Sequence, residues 1–116
     1  MDLPRIERNA WLPAEPVAVW KHLTDGSLLE TWFGGSVTIA VRRGGRITFD
    51  PGSGPLRWGT VEDLTAPDHV QWTWRTDDGE PSLVRIELDP EDGGTRLTVT
   101  EELLRFRMDL YPAITT

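Results

Sequence analysis

From Ser36 to Glu101 the chain alternates apolar and polar positions with a period of two. Ser36 to Arg42 sets Val37, Ile39 and Val41 against Ser36, Thr38 and Ala40, and Arg46 to Asp50 places Ile47 and Phe49 on one face. Leu56 to Leu64 is a third run. His69 to Thr76 alternates Val70, Trp72 and Trp74 with Gln71, Thr73 and Arg75. Ser82 to Asp89 sets Val84, Ile86 and Leu88 against Leu83, Arg85 and Glu87. In Thr95 to Glu101, Leu97 and Val99 point inward and Arg96, Thr98 and Thr100 outward. Each run predicts a strand with one buried face. The runs are separated by Gly44-Gly45, Pro51 to Pro55, Thr65 to Asp68, Asp77-Asp78-Gly79 and Asp92-Gly93-Gly94, all turn-forming by composition. Asp77-Asp78-Gly79 reads as a type I′ hairpin. Leu3 to Leu12, with Ile6, Ala10 and Leu12 at even spacing and Arg8 interrupting, reads as a strand ahead of them all. The pattern is an antiparallel meander of six to seven strands.

The period changes only between Val17 and Gly35. Val17, Trp20 and Leu23 recur at helical spacing, and Pro16 occupies a first-turn position where its missing N–H costs nothing. Ser27-Leu28-Leu29-Glu30 has the form of a capping box, opening a second short helix that shows Leu28, Leu29, Trp32 and Phe33 before Gly34-Gly35 ends it. Two short helices this rich in aromatics must cover an apolar surface, and the inner face of the sheet is the one available. The tail is ambiguous. Leu104, Phe106, Met108 and Leu110 alternate with Arg105, Arg107 and Asp109 as a strand would, whereas Leu103, Phe106 and Leu110 fit two helical turns, and Pro112 interrupts either.

Composition narrows the function. At 116 residues, without repeat or linker, the chain is expected to form one domain over 1–116, with 103–116 as a short helix or a dimerisation arm. Twelve basic and nineteen acidic residues give a net charge of −7, which disfavours nucleic acid and anionic membranes as partners. The absence of cysteine removes disulfides, thiolate metal sites and a thiol nucleophile. No signal-like or membrane-length apolar segment stands out, so a cytoplasmic location is expected.

Specific residues go further. Pro13-Ala14-Glu15-Pro16-Val17, Val19-Trp20, Leu23-Thr24-Asp25 and Trp32-Phe33 follow the first strand. Gly44-Gly45-Arg46-Ile47-Thr48-Phe49, Gly59-Thr60-Val61, Trp72-Thr73-Trp74 and Gly94-Thr95-Arg96-Leu97-Thr98-Val99-Thr100 come after. Over residues 5 to 102 this order resembles the bacterial homologues of the activator of heat-shock protein 90 ATPase, within the START-like (SRPBCC, helix-grip) superfamily that includes polyketide cyclases and lipid-transport proteins. The resemblance implies an α+β helix-grip fold, in which a curved antiparallel sheet grips a C-terminal helix and the two short helices close one end. Between sheet and helix such proteins enclose an apolar cavity. Here the chain departs from the pattern, because only Leu103 to Thr116 remain for the gripping helix, which is therefore expected to be truncated or replaced by an arm. A homodimer covering the exposed face is expected on that account.

The site residues follow from surplus aromatics. Trp20 reads as a core anchor, but Trp32, Trp58, Trp72 and Trp74 together exceed what a small core needs. With Phe33, Phe49, Ile86 and Val99 they are the candidate lining of a pocket for a small hydrophobic or amphipathic molecule. No catalytic, metal or cofactor set is assigned. His22 and His69 lack nucleophile or metal-type neighbours, and Glu62 and Asp63, adjacent on a strand, are expected to face opposite ways. Glu87, Glu101 and Glu102 read as solvated, and Arg42, Arg43, Arg46 and Arg57 as a charged rim near the Gly44-Gly45 turn. The expected function is non-enzymatic binding of such a molecule. The alternatives are a co-chaperone-like interaction domain with a stress-response role and, third, an enzyme resembling polyketide cyclase/dehydrase.

Overall fold

The computed structural model describes residues 5–104. Seven strands and two helices run β1 (Arg5–Leu12), α1 (Pro16–Thr24), α2 (Ser27–Phe33), β2 (Ser36–Ile39), β3 (Arg46–Asp50), β4 (Arg57–Thr65), β5 (His69–Arg75), β6 (Ser82–Glu91) and β7 (Gly94–Leu103). They form one antiparallel sheet in the order β1-β7-β6-β5-β4-β3-β2. Chain neighbours pair throughout except at one edge, where β1 crosses over to pair with β7 in a register that sets Arg5 opposite Glu102 and Leu12 opposite Thr95. Of the tail that reads as either strand or helix, Leu103 ends β7 and the Leu104 N–H donates to the Pro81 carbonyl, while 105–116 lie outside the described residues.

The period-two pattern translates directly into an inner face. Ile47, Val61, Val70, Trp72, Trp74, Val84, Ile86, Leu88 and Leu97 are all buried on it. The helices close one end. Val19, Leu23 and Leu29 pack into the same core, and the Thr95 hydroxyl donates to the Ala14 carbonyl at 2.7 Å, fixing the segment that leads from β1 into α1.

Four local expectations are corrected. The buried face of α1 is Val19 and Leu23, while Val17 is 57% exposed and Trp20 only half-buried, because the helix presents an i, i+4 stripe rather than the i, i+3, i+6 set. Ser27 is the first residue of α2 rather than its cap. Gly26 at φ 85° holds the cap position, and Ser27 N–H and hydroxyl both donate to Asp25 Oδ1. Glu30 therefore turns elsewhere, accepting the Val37 N–H at 3.1 Å and tying α2 to β2. β2 ends at Ile39, since the chain bends at once into the turn closed by Gly45 N–H on the Arg42 carbonyl. Finally, the two-residue hairpin with positive φ at both central positions is Asp92-Gly93 (φ 50° and 76°), between the paired Glu91 and Gly94. Asp77-Asp78-Gly79 instead lies in a longer connection from Thr76 to Pro81 with no positive φ.

A bulge in β4 also reorders a predicted pair. Val61 faces Trp72 and Asp63 faces Gln71, so Glu62 is the extra residue. Both carboxylates then turn to the outer face. Glu62 accepts from the Thr73 hydroxyl at 3.4 Å, and Asp63 meets His69.

Candidate functional site

Among the described residues, the end of the inner face opposite the α1 packing forms an open groove. Three rings make its wall: Phe33 from the end of α2, Phe49 from β3 and Trp74 from β5. Phe33 meets Trp74 edge-on, with centroids 5.2 Å apart at 72°, and lies 5.9 Å from Phe49, which is 5.7 Å from Trp74. These are the offset and edge-to-face contacts that aromatic quadrupoles favour. Glycines allow the approach. Gly34 at φ 76° ends α2, and a Cβ on Gly35 would strike the Phe49 ring at 2.8 Å and the Asp50 carbonyl, so only glycine lets the helix end settle on β3. Trp32 and Val99 complete the apolar lining.

Polar groups close the groove along one side. Glu101 lies on the inner phase of β7, after Leu97 and Val99, and its side chain is only 20% exposed. Its Oε2 accepts three hydrogen bonds, from the Ser82 hydroxyl at 2.6 Å, Trp74 Nε1 at 2.9 Å and Arg57 Nη1 at 3.1 Å. The Arg57 guanidinium also sits 5.3 Å over the Trp74 ring, a cation–π contact. Arg57, Trp74 and Glu101 thus form a ridge between two lobes. One, about 310 Å³, includes Phe33, Phe49, Val99 and Arg8. The other, about 460 Å³, runs over Ser82, Glu102 and Leu103 toward the Thr76 to Pro81 connection.

Of the eight predicted lining residues, Trp32, Phe33, Phe49, Trp74 and Val99 come together here. Trp72 and Ile86 sit beneath them in the core, fully buried. Trp58 stands on the outer face, opposite Thr48 and Arg75, with its Nε1 donating to Asp77 Oδ1 at 3.1 Å. Four polar members of the groove were read otherwise or not at all from the sequence. Glu101 is not a solvated carboxylate, Arg57 does not belong with Arg42, Arg43 and Arg46 at the Gly44-Gly45 turn, and Arg8 and Ser82 had no assigned role. The available signal was a charged residue on the apolar phase of a strand. Leu97-x-Val99-x-Glu101 and Ile6-x-Arg8-x-Ala10 both carry it.

The histidines lie elsewhere. His22 is on the exposed side of α1, 3.9 Å from Asp25. His69, on the outer face, approaches Asp63 at 3.1 Å, and Arg43 reaches the other oxygen of that carboxylate at 3.1 Å. The His69 hydrogen bond is the largest influence and outweighs the opposing desolvation; with the hydrogen bond from Arg43 and the charge of both partners it holds the Asp63 carboxyl below its usual value of 3.8. The pair's contribution to stability is therefore complete above the unfolded-chain value and is lost as pH falls below it through the folded-state value. An NMR titration should place the Asp63 midpoint below 3.8, and Asp63→Asn should make unfolding free energy less sensitive to acid in that window. Equal acid sensitivity in variant and wild type would show that the pair contributes nothing. Among the described residues no group of three or more His, Cys, Asp or Glu could hold a metal ion, and no helix is long and apolar enough to cross a membrane.

Comparison with known proteins agrees with this architecture. The profile of the family described as Activator of Hsp90 ATPase homolog 1-like protein matches residues 13–109. No curated protein sequence matches the chain. Among solved structures, CalU16 from Micromonospora echinospora superposes with a TM-score of 0.70 at 22% identity, over 90% of this chain and 63% of its own length. An HSP90 activator from Plasmodium falciparum gives 0.68 at 19%, over 88% of this chain and 74% of its own. A protein from Mesorhizobium loti gives 0.75 at 19%, over 85% and 76%. At these identities the likeness shows the fold, which is the helix grip. The chain spans less than two thirds of the length of CalU16.

Proposed function

We propose, from the premise that this chain belongs to the Activator of Hsp90 ATPase homolog 1-like family, that its groove binds a small, largely apolar molecule. The observation that supports this is the convergence of Phe33, Phe49 and Trp74 beside the hydrogen-bonded Arg57–Glu101 pair. An apolar concavity with a few fixed polar groups is the usual form of a ligand site. The work done is binding rather than bond-making, because Glu101 Oε2 already accepts three hydrogen bonds and both histidines lie away from the groove.

Indole N–H resonances report the site directly. Titration with methyl 2-naphthoate should shift the Trp74 and Trp32 signals saturably and leave those of Trp11 and Trp58, on the outer face, in place. Phe33→Ala should weaken the response. No saturable shift across naphthalene derivatives, medium-chain fatty acids and their methyl esters would end this reading.

A second reading is the co-chaperone one. Leu56 and Trp58 are 50% and 37% exposed on the outer side beside Asp77, a patch of the kind that docks protein. Addition of a heat-shock protein 90 that moved the Trp58 resonance, with Trp74 unresponsive to every small molecule, would favour it.

A further inference from the structure

We propose that the smaller lobe takes a compact aromatic carboxylic acid, with its ring against Phe33, Phe49 and Trp74 and its carboxylate on Arg8 and Arg57. The inference rests on the binding reading above and adds the ligand's charge and size. The protein as a whole carries −7, yet the charged residues lining this lobe are two guanidiniums, Arg8 and Arg57, against the single carboxylate of Glu101. The sign of the surface is reversed where the apolar wall is. The neighbouring lobe shows no such excess, since Arg5, Arg57 and Arg75 there face Glu80, Glu101 and Glu102.

The two arginines differ in a way that suits an incoming anion. Arg57 spends Nη1 on Glu101 and is braced by the Trp74 face, so its position is set before any ligand arrives. Its remaining N–H donors have no partner among the described residues, and its side chain is 41% exposed. Arg8 sits on the inner face of β1, opposite Val99 in register, and has no hydrogen bond or ion pair among the described residues. Glu101 neutralises Arg57, which leaves the charge of Arg8 uncompensated among the described residues, at the rim of an apolar wall. A carboxylate answers both needs, because it matches the planar guanidinium fork and accepts from two arginines at once. A cationic ligand would meet repulsion there, and a neutral one would leave Arg8 unanswered. The volume of about 310 Å³ lies at the lower end of ligand sites, which favours one or two fused rings over a long acyl chain.

Calorimetric titration of the full chain with 2-naphthoic acid, methyl 2-naphthoate and 2-naphthyl phosphate tests this. The acid should bind roughly tenfold or more tightly than the ester, the difference a charge-assisted hydrogen-bonded pair makes. Arg8→Gln should bring the acid's Kd close to that of the ester. Arg8 is exposed and has no partner among the described residues, and a thermal melt matching wild type confirms that the variant is folded. Equal binding of acid and ester by the wild type would overturn the inference while leaving the groove a binding site. An acid preference that survives Arg8→Gln would overturn the role given to Arg8. Binding of the phosphate but not the acid would replace the carboxylate with a phosphate head. If none of the three binds, this inference is lost, and the functional reading falls with it only if the fatty acids and their esters also leave the indole resonances unmoved.

Discussion

Trp72→Ala is expected to lower the stability of the fold by ~3–5 kcal/mol, the range for emptying a large aromatic site in a core. Trp72 has no exposed surface, and its ring stands edge-on to Trp74 with centroids 5.5 Å apart. Removing it opens a cavity in the core on the inner face of the sheet and takes away the support under the groove's aromatic wall. A domain of this size has total stability of about the same order, so the variant should be largely unfolded or markedly less stable. Trp72→Phe should behave quite differently. The Trp72 Nε1 is buried without an acceptor among the described residues, so the phenylalanine removes a poorly satisfied donor while keeping most of the ring. Urea denaturation of the two variants measures the contrast. A Trp72→Phe loss as large as that of Trp72→Ala would show that the indole N–H has a partner that matters.

Glu101→Ala should cost ~2–3 kcal/mol, somewhat below the ~3–5 of breaking a fully buried ion pair, because Arg57 keeps access to water. One truncation leaves Arg57 Nη1, Trp74 Nε1 and the Ser82 hydroxyl without their shared acceptor. Glu101→Gln keeps an acceptor oxygen in place and should cost about 1 kcal/mol, the scale of a weakened hydrogen bond. The same urea titration separates them, and near-ultraviolet circular dichroism should show the indole of Trp74 released in the alanine variant. Stability unchanged within error in Glu101→Ala would mean that the carboxylate is effectively solvated, as its sequence neighbourhood reads.

The strands were legible because burial repeats along them. Val70, Trp72 and Trp74, or Val84, Ile86 and Leu88, leave one phase in which a strand can lie against a core. Short-range chemistry was less readable. Asp77-Asp78-Gly79 and Asp92-Gly93-Gly94 offer similar turn residues, and only the pairing of Glu91 with Gly94 decides which carries the two positive φ angles. Val17 and Val19 are equally apolar, and the direction from which α1 meets β6 and β7 selects the second. The groove was half legible. Its rings are conspicuous by type, but Trp58 has the same type and stands on the opposite face. The Arg57–Glu101 pair joins residues 44 apart in sequence, on strands separated in the sheet by β5 and β6. No local pattern records that meeting.

The pairing of β1 with β7 also constrains how the chain assembles. β3 through β7 each dock on the strand just before them, and β6 and β7 are joined by only the two residues Asp92 and Gly93. Among the described strands, β1 precedes all the others in sequence and has no partner in this sheet until β7 has been made. Bringing Leu12 to Thr95 closes a loop roughly forty times longer than the β6–β7 hairpin, about five doublings and so ~3 kcal/mol of additional entropy to overcome. The hairpin can form locally as soon as its two strands exist, whereas the closing edge must wait until β7 has been made. Until then the nascent chain carries Ile6, Ala10 and Leu12 on an unpaired strand, with its N–H and C=O groups open to any other chain nearby.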